Sequence, residues 1–187
     1  LRLKCIWNGS LSKASYIYSQ LLQHTSTRPK TNVELSWESD LEVSYSCEVW
    51  DSIWLKLFKT SRAANITQSL FLVYNRAIFT PSHINKFDKS VASECWSCKC
   101  IVGSIPHMLF YCKYVHSFWL LVWSKCMQIF HFSIPLNFTN VFLGSLALHP
   151  TDIKRHGRLF DLFIALAFKI ILSCWKDFSK LALNAWW

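Results

Sequence analysis

Residues 95–112 read CWSCKCIVGSIPHMLFYC, and within them Cys95, Cys98, His107 and Cys112 stand at the spacing C-x2-C-x8-H-x4-C. Two cysteines separated by two residues place both thiolates on one ion, and the imidazole with the last thiolate completes a tetrahedron. Zinc suits that donor set. Four protein ligands leave no coordination position for water, so the expected Zn2+ is structural. Gly103 and Pro106 predict a turn that carries the chain back to the ion. Cys100 competes with Cys95 or Cys98, but a single residue between Cys98 and Cys100 strains simultaneous chelation, and Cys100 is left out of the set. Cys5, Cys47, Cys126 and Cys174 read as small buried hydrophobes.

A loop pinned by an ion needs a frame, and the flanking sequence has helical period. Upstream, Trp50, Ile53, Trp54 and Leu57 fall at i, i+3, i+4 and i+7, behind Ser46 as N-cap and Glu48 and Asp51 in the first turn. Leu70, Val73, Tyr74 and Ala77 repeat that spacing and predict a helix over 66–79, ended by Thr80-Pro81. Downstream, Leu159, Leu162, Phe163, Leu166, Ile170 and Cys174 form a stripe, with Asp161, Lys169 and Lys176 on one polar arc of roughly 80°. A short helix is expected over 16–22, and strand signals are confined to pieces such as 136–143. The expected fold is mainly α: a small helical domain with an irregular CCHC zinc-knuckle loop. Its divisions are a connector over 1–35, a helical segment over 36–90, the knuckle over 91–123 and a C-terminal helical segment over 124–187.

Composition narrows the function classes. Of 187 residues, 52% are apolar and 17% charged, which excludes a disordered tail. Ten Trp and fourteen Phe exceed what a domain of this size hides easily, so some rings are expected to serve a partner or a neighbouring domain. The chain starts at Leu1 and reads as a piece of something longer. Its net charge is +9, yet Glu34, Glu38, Asp40, Glu42, Glu48 and Asp51 crowd one stretch, and no acid lies between Glu94 and Asp152. A basic region joined to exposed aromatics favours nucleic acid as partner, with a merely basic surface as the standing alternative. No membrane span is expected, because Asp161 and Lys169 break the longest apolar run and Pro135 and Pro150 punctuate the uncharged one. Three sequons, at Asn8, Asn65 and Asn137, suit a competing secreted, disulfide-linked reading.

Catalytic patterns are missing: there is no G-x-S-x-G elbow, no phosphate-cradling glycine loop and no H-E-x-x-H. No two acids are adjacent, which excludes a tandem-aspartate centre. His24, His83, His116, His131, His149 and His156 are scattered without an evident carboxylate or nucleophile. No enzyme is expected.

From Trp50 through Trp123 the chain resembles the zinc-binding C-terminal region of reverse transcriptases encoded by LINE-type non-LTR retrotransposons. The resemblance rests on Asn75-Arg76-Ala77-Ile78-Phe79-Thr80-Pro81, on Cys95-Trp96-Ser97-Cys98, on Gly103 to His107, and on Tyr111-Cys112 followed by Phe118-Trp119. Weaker similarity covers 37–41 and 167–175. Asn75 stands where the family usually has His, and Phe79 where Tyr is common. The resemblance implies a non-catalytic segment downstream of a polymerase, helping to hold template RNA or target DNA during target-primed reverse transcription. The polymerase and endonuclease domains lie outside this chain, and the implied location is nucleus and cytoplasm. A fragment or decayed copy of such an element has the same pattern.

On the physical reading, Trp96, Phe110 or Tyr111 would stack on unpaired bases while Arg76, Lys99 and Lys113 neutralise phosphates. The opposing reading makes the same rings core and Arg76 an ion-pair partner, in a purely structural domain that packs on the polymerase body.

Overall fold

Thr31 and Glu34 decide where the first helix starts. The Glu34 backbone N–H donates to Thr31 Oγ1 and the Thr31 backbone N–H donates to Glu34 Oε2, a reciprocal capping box at the head of α1 (Asn32–Leu41). In the computed structural model, which describes residues 28–131 and 133–181, this helix begins inside the stretch expected as connector. The helix expected over 16–22 lies outside the described residues.

The next helix, α2 (Cys47–Thr60), matches its expected spacing, with Trp50, Ile53 and Leu57 buried. Ser46 is the N-cap residue as expected, although its side chain makes no capping bond. Two glutamates one turn apart on α1 receive two indoles one turn apart on α2. Trp50 Nε1 donates to Glu38 Oε1 at 2.9 Å, and Trp54 Nε1 donates to Glu34 Oε1 at 2.7 Å. The matched spacing sets the two helices antiparallel. Part of the acidic run is therefore internal, and Glu34 is fully buried beneath the Arg28 guanidinium.

The third helix, α3 (Ala64–Tyr74), stops short of the expected 66–79. Asn75 Nδ2 donates to Phe71 O, competing for a terminal carbonyl, and Arg76 turns left-handed at φ 55°. That turn points the guanidinium at Asp40, 2.5 Å away, and over the Trp37 ring. Pro81 at the first position and the Thr80 cap then start α4 (Pro81–Phe87).

Beyond the loop, α5 (Lys113–Phe130) is followed by α6 (Phe138–Leu143), where the expectation was a short strand. Asn137 Oδ1 accepts from the Asn140 backbone N–H at 2.7 Å, and this cap decides for helix. Among the described residues there is no strand, only one bridge between Glu94 and Val102.

The last long helix, α7 (Pro150–Ser173), has a different buried face from the expected stripe. Gly157, Phe160, Asp161, Ile164, Ala165, Phe168 and Ile171 point inward, while Leu159 is 48% exposed and Leu162, Phe163, Leu166 and Ile170 are half-buried. Apolar residues surround nearly the whole helix, so their period leaves the phase open. Contacts close it instead. Asp161, expected on the polar arc, is buried, accepting from the Ser145 backbone N–H at 2.8 Å and from Ser145 Oγ at 2.6 Å, with Lys56 Nζ 3.7 Å away. Gly144 permits this approach: its φ is 56°, and a Cβ there would collide with Asp161 Oδ1.

Most of the described rings are internal, while Phe58, Phe71, Phe79, Phe87 and Tyr111 are exposed. Trp37, Trp50 and Trp119 are fully buried, and the indoles of Trp37, Trp119, Trp123 and Trp175 donate to the carbonyls of Tyr74, Leu109, Ile134 and Phe79. Trp7, Trp186 and Trp187 lie outside the described residues. No helix among the described residues is long and apolar enough to cross a membrane.

Candidate metal centre

Two local turns present the ligands. On the first, the Lys99 backbone N–H donates to Cys95 O and the Cys95 N–H to Ile101 O, so the chain reverses tightly between Cys95 and Cys98. Lys99 sits left-handed at φ 56° to close that reversal. On the second, His107–Tyr111 forms a π-helical turn in which the Cys112 N–H donates to His107 O at 2.7 Å. In an α-helix a residue five positions on would lie about 140° around the axis. The wider π-turn brings Cys112 back beside His107 and so explains why four intervening residues are tolerated.

Gly103 works differently from the expected turn former. It does not occupy the left-handed region; a Cβ on it would lie 2.7 Å from Pro81 Cγ. The missing side chain lets the loop pass against the head of α4, where Ser82 Oγ donates to Gly103 O at 2.9 Å.

These turns gather Cys95, Cys98, His107 and Cys112 as the spacing predicts. All four are buried, and their ligand atoms lie within 4.8 Å of one another. Cys95 Sγ is 3.9 Å from Cys112 Sγ, and Cys98 Sγ is 3.3 Å from His107 Nε2. A tetrahedral ion with zinc-length bonds of about 2.3 Å to sulfur and about 2.0 Å to nitrogen needs edges of roughly 3.5 to 3.8 Å. The cluster fits a metal ion of that size. When bound, such an ion supplies a cross-link with every position filled by protein.

Electrostatics point the same way. Burial holds the His107 imidazole below its ordinary range, leaving it neutral at pH 7 with a lone pair to give. Burial pushes the Cys112 thiol up to about 12, so it stays protonated at neutral pH unless a cation draws the proton off. Burial also opposes ionisation of Cys98, but the Cys100 backbone N–H, the Cys95 and Cys112 thiols and the Ile101 N–H together outweigh it and keep that thiol below the usual value. Cys100 is exposed, its Sγ donating to Cys98 O at 2.8 Å, outside the cluster. The described cysteines are all free thiols, and Cys126 is buried as expected.

The expected nucleic-acid contacts divide. Lys99, Tyr111 and Lys113 are exposed around the loop, with Tyr111 at 56%. Trp96 is half-buried against the core, and Phe110 is buried in a stack on Phe138. Arg76 is held internally between Asp40 and the Trp37 ring. Supports that the spacing did not disclose are Ser104, whose Oγ accepts from the His107 N–H, and Ser97, whose Oγ accepts from the Phe178 N–H. A serine three residues before a ligand at a helix start is the local signal for the first. The second is long-range and has none. No protein-family model matches the chain.

Proposed function

We propose that this chain is a non-catalytic zinc module of a LINE-type retrotransposon reverse transcriptase, holding template RNA or target DNA for polymerase and endonuclease domains elsewhere in the longer protein. The observation that carries the reading is the buried cluster of Cys95, Cys98, His107 and Cys112, in the order and spacing of that family. Zinc is the ion the donor set favours, since three thiolates and an imidazole at tetrahedral edges match its softness and lack of geometric preference. Lys99, Tyr111 and Lys113 form the exposed rim that meets the nucleic acid, by phosphate neutralisation and by stacking. The module acts in nucleus and cytoplasm, where its template and target reside.

The second reading, a structural domain packed on the polymerase body, is favoured by the burial of Phe110 and by exposed Leu55 and Phe58 on α2. Metal content by mass spectrometry and RNA binding by the purified chain separate the two. Stoichiometric zinc, with binding weakened and its salt dependence reduced in Lys99→Ala/Lys113→Ala, supports the nucleic-acid role. Stoichiometric zinc with neither quantity changed leaves the structural role, and absence of zinc from reduced, folded protein overturns both.

A further inference from the structure

The densest basic run in the sequence, Lys154-Arg155-His156-Gly157-Arg158, lies on the N-terminal half of α7. There it faces the end of α2 across a surface groove of two adjoining parts, about 590 Å3 and about 390 Å3, that share Thr60, Ile153, Gly157 and Arg158 in their walls. Lys59, Arg62, Lys154, Arg155 and Arg158 line it, and all five are exposed. The single acid in its walls, Asp161, is already engaged by Ser145 and Lys56. None of the five cations has a carboxylate partner among the described residues.

Such a cluster repels itself. Lys154 and Arg158 are four apart on one helix and Arg155 and Arg158 three apart, spacings at which like charges destabilise. Arg28, Lys30, Lys56 and Arg76, by contrast, each find a carboxylate. The groove gathers five cations that find none among the described residues, and its three arginines present planar guanidinium forks that match phosphate oxygens.

We propose that this groove is a binding track for the phosphodiester backbone of a nucleic acid strand, distinct from the knuckle rim. Its concave shape, with cations on both walls, matches an extended strand more closely than a flat bilayer surface. The track takes only its ligand class from the functional reading above. It depends on neither the metal nor Lys99 and Lys113.

The test uses the full 187-residue chain, a fluorescein-labelled single-stranded RNA of mixed sequence, and anisotropy titrations across a range of KCl concentrations. Arg155→Ala/Arg158→Ala is expected to weaken binding about tenfold and to make the logarithmic salt slope shallower by roughly 0.7 per lost contact. Zinc content stays unchanged and the melting temperature holds or rises slightly, since both side chains are exposed and their mutual repulsion is relieved, and Arg155→Lys/Arg158→Lys keeps most of the salt slope. Lys99→Ala/Lys113→Ala is measured beside it. A defect only in the groove variant supports the track and removes the knuckle-rim contacts. A defect only in the knuckle variant overturns the track. Absence of RNA binding by the wild-type chain overturns both. Unchanged RNA affinity with lost binding to phosphatidylserine vesicles or polyglutamate reassigns the groove to a membrane or an acidic protein, and also overturns the proposal.

Discussion

The α1–α2 pair and the 95–112 loop solve the same problem, holding short segments in a fixed geometry, by opposite means. The helix pair carries its own fasteners: two buried or half-buried glutamates accept two indole N–H groups, with Arg28 and Lys30 closing the charge. The loop has one isolated bridge, two non-standard turns and four ligand atoms facing one another. Apart from the Tyr45 hydroxyl, which is buried without a partner among the described residues, protein groups satisfy each other in the first region, while the second gathers buried thiols whose best partner is a cation. The helix pair should therefore be indifferent to metal, and the loop should depend on it.

That contrast is sharpest under chelation or in His107→Ala. Structural zinc binding is worth on the order of 10 to 16 kcal/mol in small domains. The expected outcome is loss of one-to-one zinc and of hydrogen-exchange protection over 95–112, with protection of α1 and α2 retained. Loop amides that stay protected after zinc is stripped would break the comparison.

The converse perturbation is Glu34→Ala, which strands the Trp54 indole N–H, while the Arg28 guanidinium keeps Asp51. It should cost about 1 to 3 kcal/mol in urea unfolding while leaving zinc stoichiometry intact. Although burial opposes its charge, Arg28, Trp54 and Thr31 hold the Glu34 carboxyl at about 2, against 4.5 for the free group. Because the folded value is the lower one, its contribution is complete above about 4.5 and is lost as pH falls toward about 2. Glu34→Gln should flatten that acid limb of the stability profile, and an unchanged limb would show that the helix pair is held otherwise.

Gly103→Ala probes where the loop leans on the helical frame. The added methyl meets Pro81 Cγ at 2.7 Å, so overpacking of about 1 to 3 kcal/mol is expected as a lower melting temperature. Cys100→Ser should do least, within about 0.5 kcal/mol and with zinc still one to one, because its thiol lies outside the ligand cluster. A drop in zinc content there would mean Cys100 exchanges with Cys98.

What could be read along the chain follows the reach of each interaction. The Cys3His cluster was legible because the chelate spacing of Cys95, Cys98, His107 and Cys112 is set over a few residues and a few ångströms. The α2 stripe was legible because polar residues interrupt its apolar ones and so fix a face. On α7 the apolar residues nearly encircle the helix, and its orientation is chosen by Asp161 meeting Ser145 and by Gly157 lying against it. The 136–143 segment has an apolar pattern too short to separate strand from helix, and a single cap at Asn137 settles it. Arg76 appeared available to a phosphate until Asp40, far away in sequence, came to its side.

By itself, then, the sequence determined a mainly helical chain with one closed Cys3His ligand set, since helical period and chelate spacing are properties of neighbouring residues. Only the tertiary structure decided which charges are internal, which rings are core and where unpaired cations collect. A buried charge such as Glu34 or Asp161 is stable only beside the partners that offset its desolvation, and those partners arrive from distant parts of the chain.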